Sequence, residues 1–257
     1  MSLYSNFFYK SVSSRSELVS NKVLSLVFES AINIKSIKDV GCGEGKWLNS
    51  NILSKGNYDL YGYDLPEAIE LAKNKAKNEI AFYPINLESI DRNILANTDL
   101  TIFTEVAEHL TEDSTKRIIN FICKTSKIVI FSGAIPGQGG YNHINEQTLN
   151  YWVHLFEINN FIPIDYIRPK INGDKSIPFY YRNNLFLFVK NIQETKVNNF
   201  NNFNDFNKHI VRSDNYLLDY RNFWQKTRYR IIKIFAYKFV NFIYTLVDIL
   251  RNSRSMS

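Results

Sequence analysis

The stretch Lys38-Asp39-Val40-Gly41-Cys42-Gly43-Glu44-Gly45 decides how this chain is read. A short apolar segment, residues 34–37 broken by Lys35 and Ser36, runs into it. Lys46-Trp47-Leu48 follows with a pattern that can open a helix. Strand, glycine turn and helix in that order begin a mononucleotide-binding α/β unit. Glycine is needed there because a Cβ would collide with a ligand brought against the backbone. The spacing is G-x-G-x-G. A dinucleotide fingerprint wants a third glycine at position 46, where the chain has Lys46, so hydride transfer is disfavoured. No G-K-[S/T] follows the glycines, which excludes a P-loop.

An acidic residue followed by G-x-G-x-G, here Asp39 with Gly41, Gly43 and Gly45, resembles the first motif of the class I S-adenosylmethionine-dependent methyltransferases. The resemblance implies an α/β, doubly wound Rossmann-like sheet with S-adenosylmethionine at its strand ends. It extends over residues 1–190, with a cofactor-covering segment at the N-terminus. Within that segment, Ser14 and Arg15 are candidates to approach the methionine carboxylate; an outer helix cap is the alternative.

Strands are expected at residues 36–40, 60–64, 80–85, 99–103 and 128–131, and a last pair at 162–167 and 185–189. A helix over 16–33 carries an apolar stripe of Leu18, Val23, Leu26 and Val27. Another is expected over 146–159, with Trp152, Leu155 and Phe156 on its apolar side. Strand-helix alternation argues for one doubly wound domain. Asp64 ends the second strand about 20 residues past the glycines, where an acidic residue can accept both ribose hydroxyls. Pro66 fits the first turn of the next helix. The cofactor-binding set is Asp39, Gly41, Cys42, Gly43, Asp64, Leu65, Asn86, Leu87, Thr104 and Glu105. By the resemblance, Asn86 stands where the family usually has Asp to meet the adenine amine, and its amide oxygen can still accept a hydrogen bond.

The fourth strand leads into Thr104-Glu105-Val106-Ala107-Glu108-His109. Read as a helix turn, this makes Glu105 and His109 i,i+4 neighbours. The resemblance gives such a Glu-x-x-Glu-His segment two readings. In one it is structural, with Glu105 near the methionine end of the cofactor. In the other, found in small-RNA and quinone-precursor O-methyltransferases, the acids and histidines bind a divalent metal and His143 completes the set. Mg²⁺, Mn²⁺ and Zn²⁺ all suit those donors, but the structural reading is preferred.

The loop Gly137-Gln138-Gly139-Gly140-Tyr141-Asn142-His143-Ile144-Asn145-Glu146-Gln147 gathers polar groups at the expected cofactor mouth. It resembles loops of bacterial methyltransferases of surface-glycan and small-metabolite pathways. The catalytic candidates are His143, Glu105 and Glu146. An imidazole with a pKa near ~6.5 can take a proton from a hydroxyl as it attacks a methyl group. Glu146 can orient that imidazole, bind substrate hydroxyls, or simply supply a helix N-terminal charge. Tyr166, Arg168, Lys170, Lys175, Tyr180, Tyr181 and Arg182, around a late loop at 169–184, could hold a phosphate or nucleotide-linked sugar, or be ordinary surface.

The composition separates the two ends of the chain. It has 257 residues, 45% of them hydrophobic, and a formal charge of +6. Residues 208–257 hold ten Lys or Arg against three Asp, so that tail carries +7 and the rest −1. The basicity is thus outside the expected site, which makes nucleic acid an unlikely partner there. Cys42 and Cys123 form no disulfide framework and suit a reducing cytoplasm, and no export signal opens the chain. Residues 191–207 read as an Asn-rich linker and 208–257 as a basic amphipathic helical extension. A spanning helix needs ~20 mostly apolar residues. Residues 231–250 have the length, but Lys233, Lys238, Asn241 and Asp248 argue against crossing. The apolar arc either packs on the core or a second subunit, giving a homodimer, or lies peripherally on the inner membrane surface.

The reading is therefore an O-methyltransferase acting on a small molecule: a sugar, nucleotide-sugar or capsule/surface-polysaccharide precursor. The alternatives are a small-molecule N-methyltransferase, an RNA methyltransferase, and a non-catalytic methyltransferase-like scaffold. Asp or Asn followed by Pro-Pro-Tyr or Pro-Pro-Phe, the motif of adenine N-methylation, is absent after the fourth strand.

Overall fold

Three strands buried along almost their whole length form the centre of this sheet, one of them carrying Lys38 and Asp39. They are β1 (Ser36–Val40), β4 (Thr98–Thr104) and β5 (Ser126–Ser132). β2 (Asp59–Asp64) and β3 (Ala81–Pro84) extend the sheet on one side, β7 (Phe186–Lys190) and β6 (Phe161–Ile164) on the other. The strand order is β3-β2-β1-β4-β5-β7-β6. β1 to β5 are parallel; β7 runs antiparallel to both β5 and β6. The computed structural model describes residues 6–30 and 33–190. The linker and extension expected over 191–257, and the side chains of Ser14 and Arg15, lie outside the described residues.

The helices cover the sheet. α1 (Asn6–Ser30) begins ten residues before the expected helix and absorbs the segment read as a separate cover. It buries Val19, Val23, Leu26 and Val27, at i, i+4, i+7 and i+8, whereas Leu18 is 43% exposed and falls outside the stripe. α2 (Pro66–Lys75) starts at Pro66 as expected. α3 (Glu112–Lys124) is capped by the Thr111 hydroxyl, which accepts from Ser114 N, and buries Ile118, Ile119 and Ile122. α4 (Leu149–Glu157) is capped by Thr148, so Glu146 lies ahead of the helix and not in its first turn. The late loop contains two short helices, α5 (Arg168–Ile171) and α6 (Phe179–Asn184). The helix expected directly after the glycine turn is replaced by successive turns and a 3-10 segment at Leu53–Lys55. Gly45, at φ +74°, is in the left-handed region, and its carbonyl accepts from Asn49 N at 2.9 Å in a single turn that does not continue.

β7 owes its place to aromatic packing. Phe188 stacks on Phe156 of α4 with centroids 3.9 Å apart, and Phe131 of β5 meets Phe156, Phe188 and Trp152 edge-on or tilted. On the same face of the sheet, β1 carries a fully buried lysine: Lys38 lies beside Thr101, Thr101 beside Val129, and Val129 beside Phe188. Lys38 Nζ lies within 3.2 Å of five oxygens, those of Ala96 O, Thr98 Oγ1, Thr125 O, Thr125 Oγ1 and Ser126 Oγ. Burial lowers its pKa to about 7, while the ring of acceptors favours the ammonium. This group ties the starts of β4 and β5 to the middle of β1. Lys38→Met leaves those acceptors without their donor, and urea denaturation should show a loss of about 2–4 kcal/mol.

Candidate functional site

The parallel strands place their C-terminal ends on one edge, and the chain reverses its winding between β1 and β4. Such a switch point opens a crevice for ligand. β1 ends in the glycine turn, where Gly41, Gly43 and Gly45 all have positive φ. Tyr63 O at the end of β2 accepts from both Gly41 N and Cys42 N, at 2.7 and 3.1 Å. Asp64 then receives Gly43 N on Oδ2 and Leu65 N on Oδ1, each at 2.7 Å. The glycine turn and the acidic strand tip are thus one hydrogen-bonded unit. Glu44 anchors its outer side through an ion pair with Lys75 at 2.6 Å.

Burial pushes the Asp64 carboxyl up to about 6, against the pull of its two amide bonds. Asp39 is buried, its Oδ2 has no hydrogen-bond partner among the described residues, and burial together with the Asp64 charge raises its pKa well above the usual range. Cys42 is buried beside both acids, and burial followed by their charges holds its thiol protonated. Of the remaining cofactor candidates, Leu87 is buried and Asn86 is exposed beyond β3. The Asn86 amide oxygen accepts from Glu88 N at 3.0 Å, so a local turn already engages the atom expected to meet adenine.

β4 ends at Thr104, and the segment after it is not a helix turn. Glu105 has φ +56°, and only Ala107–His109 forms a 3-10 turn. The i,i+4 relation expected for Glu105 and His109 is therefore absent. A left-handed non-glycine residue costs of order 1–3 kcal/mol and marks sites where surroundings dictate the backbone. Val106 packs against Gly41, where an added Cβ would meet Val106 Cγ2 at 2.4 Å. This contact brings the Glu105–His109 segment against the glycine turn.

Glu105 and Glu108 form a buried acidic pair. Burial raises Glu105 to about 7, and burial plus the Glu105 charge pushes Glu108 well above its ordinary value. Among the described residues, Glu105 Oε1 and both Glu108 carboxylate oxygens are buried without a hydrogen bond. The Glu108 carbonyl accepts from Ile144 N and Asn145 N at 2.9 and 3.1 Å, which clamps the glycine loop to the 3-10 turn. His143 consequently meets His109 edge-on with centroids 4.9 Å apart. Burial and the neighbouring His143 lower His109 to about 4, and its Nδ1 faces the Asn142 carbonyl at 3.3 Å.

Glu146 organises the loop. It accepts from Gly137 N and Gly139 N at 2.7 and 2.8 Å, and from His143 Nδ1 at 3.0 Å. With Nδ1–H donated to a carboxylate, the neutral His143 ring carries its lone pair on Nε2. The ring lies against Gly140, whose added Cβ would come 2.2 Å from Nε2.

Of the sequence-derived set, Gly41, Cys42, Gly43, Asp64 and Leu65 share one hydrogen-bonded unit, and His143 and Glu146 share another. In the late-loop cluster both arginines have partners within the chain. Arg168 is paired with Asp165 at 2.6 Å and lies 4.0 Å over the Phe186 ring, and Arg182 donates to Ile177 O and Asn172 O. Tyr181 instead turns inward and is buried; hydrogen bonds with Thr104 and Trp47 oppose the burial that raises its pKa. Asn184, from the same helix, is 1% exposed and bonds to Gln138. Gln138 stood in the quoted loop, but nothing near Asn184 in sequence points to this site.

No protein-family model matches the chain, and no curated protein does. Solved structures do. An O-methyltransferase family protein from Burkholderia thailandensis aligns with 72% of this chain at 12% identity and a TM-score of 0.55; the chain spans only 58% of that protein. Magnesium protoporphyrin IX methyltransferase from Synechocystis PCC 6803 with bound S-adenosylhomocysteine aligns over 73% of this chain and 89% of its own, at 16% identity and a TM-score of 0.52. The plantazolicin methyltransferase, also holding S-adenosylhomocysteine, aligns over 72% and 89%, at 15% identity and a TM-score of 0.50. With its 3-2-1-4-5-7-6 sheet and antiparallel seventh strand, the chain has the fold of the class I S-adenosylmethionine-dependent methyltransferases.

Proposed function

We propose that this protein is an S-adenosylmethionine-dependent O-methyltransferase. The observation that carries the reading is the fusion of glycine turn and strand tip, Gly43 N to Asp64 Oδ2, at the switch point of the sheet. The residues suit the cofactor. Asp64 offers a carboxylate to ribose hydroxyls, and the buried acceptors Asp39 Oδ2 and Glu105 Oε1 suit its cationic methionine end. When bound, S-adenosylmethionine supplies a methyl group activated on sulfonium for in-line displacement. The protein's part is alignment, exclusion of water and removal of one proton. His143 Nε2 takes the proton of the acceptor hydroxyl, and Glu146 steadies the imidazolium through Nδ1, as a carboxylate does in a catalytic triad. The acceptor class we infer is a polar hydroxyl compound such as a sugar, nucleotide-linked sugar or surface-polysaccharide precursor. Its support is the polar loop carrying Gln138, Asn142 and His143. Among the described residues no helix is long and apolar enough to cross a membrane.

A second reading is favoured by one observation. Glu108, His109 and His143 each present a ligand atom within 4.8 Å of the others, and the Glu108 oxygens are buried without a hydrogen bond among the described residues. These residues would hold a divalent ion, which would supply Lewis-acid polarisation of an acceptor hydroxyl. In that arrangement His143 is a ligand and not the base.

Three measurements separate these roles. Calorimetric titration with S-adenosylmethionine should show binding that Asp64→Ala weakens at least about tenfold. Affinity should rise with pH through about 6 as the Asp64 carboxyl ionises, and this dependence should vanish in Asp64→Asn. Absence of binding by the folded wild type would overturn the cofactor assignment. Gly140→Ala should displace His143 and cut turnover about 10²-fold while leaving cofactor affinity unchanged, within the usual range for general base catalysis. Titration with Mn²⁺ followed by electron paramagnetic resonance should detect a site that His109→Ala abolishes if the ion belongs there; no bound signal leaves His143 as the base.

A further inference from the structure

Glu105 is joined to an element that the strand ends alone do not account for. Asn184 Nδ2 in α6 donates to Gln138 Oε1 at 2.7 Å, and Gln138 Nε2 donates to Glu105 Oε2 at 3.4 Å. Asn184 and Tyr181 are three residues apart on one face of α6, and both are buried. The relay has a direction. A carboxylate accepts, so Gln138 turns its amine to Glu105 and its carbonyl to Asn184, which must answer with its own amine. Among the described residues, this order leaves an acceptor bare at each end, Glu105 Oε1 and Asn184 Oδ1, both buried. Glu105 is the residue held at φ +56°, a conformation that its own backbone does not favour.

We propose that Asn184 is a positioning residue for the cofactor site: through Gln138 it fixes the Glu105 carboxylate in the orientation that receives the cationic end of S-adenosylmethionine. The inference rests on the methyl-transfer reading of the site. It makes the segment between β6 and β7 part of the cofactor machinery, 46 residues from the loop it controls.

Asn184→Asp tests the relay by reversing its polarity at nearly constant size. The carboxylate that this substitution introduces can only accept, so Gln138 must turn its amine away from Glu105 and present a carbonyl to a carboxylate. The expected result is about a tenfold loss of S-adenosylmethionine affinity in calorimetry. In a Glu105→Gln background the reversed relay is complete again, because the new amide can donate to the Gln138 carbonyl. There Asn184→Asp should change affinity less than about twofold, and should lower Tm less than it does in the wild-type background. Equal losses in both backgrounds, or no loss in the wild type, would overturn the proposal. If Asn184→Asp does not fold, Asn184→Ala replaces it, and Gln138→Leu should then abolish its effect on affinity. If the wild type binds no S-adenosylmethionine, the methyl-transfer reading fails by itself, and the Tm comparison between the two backgrounds still decides whether the relay exists.

Discussion

The carbonyl of Tyr63 and the carboxylate of Asp64 hold the glycine turn in shape, and the site depends on that hold. Three glycines in left-handed conformations have no preference of their own for this turn. Hydrogen bonds from Gly41, Cys42 and Gly43 to the end of β2 select it. The same bonds make Asp64 part of the turn, so the acid and the glycines keep one relative geometry. Val106 then fills the space that a side chain at Gly41 would occupy. The second half of the sheet is thereby docked against the first at its ligand-binding edge.

That docking concentrates carboxyl groups whose ionisation burial opposes. Asp39, Asp64, Glu105 and Glu108 all sit at or near the ends of β1, β2 and β4, and burial raises the pKa of each. Buried carboxylates without partners cost stability, and several of these oxygens have none among the described residues. Positive charge at the crevice would favour the ionised forms of these groups. A sulfonium with its adjoining ammonium group would supply that charge, and so would a divalent ion beside Glu108. Both readings of the site thus rest on the same feature, a cluster of carboxyl groups that an arriving cation would draw into their ionised form. They differ in which end of it receives the cation.

What the sequence disclosed follows from how local each signal is. The glycine turn, Asp64 and the parallel strands were legible because sheet pairing and positive φ impose residue types over short spans. Lys46-Trp47-Leu48 has a helical pattern, yet the chain there forms turns and a 3-10 segment instead of an α-helix. The Glu105 turn was misread for a related reason. An i,i+4 pattern predicts a helix only if the residues between are helical, and tertiary contacts put Glu105 in a left-handed conformation instead. The late loop hid two short helices because its aromatics serve burial and its arginines serve intrachain pairing. Asn184 had no local signature at all: its meaning comes from Gln138, which only the folded sheet brings near.

Glu146 shows how a loop rich in glycine can still be ordered. The sequence allowed it three roles: orienting the imidazole, binding substrate, or charging a helix terminus. The cap of α4 is Thr148, so Glu146 stands two residues ahead of the cap. One carboxylate instead gathers two loop amides and an imidazole N–H. Loop shape and imidazole orientation therefore cannot vary independently. Any change that opens the loop also releases His143 from the tautomer that leaves Nε2 able to take a proton. The glycines supply the freedom needed to wrap around Glu146, and Glu146 removes that freedom where the proposed chemistry requires a fixed base.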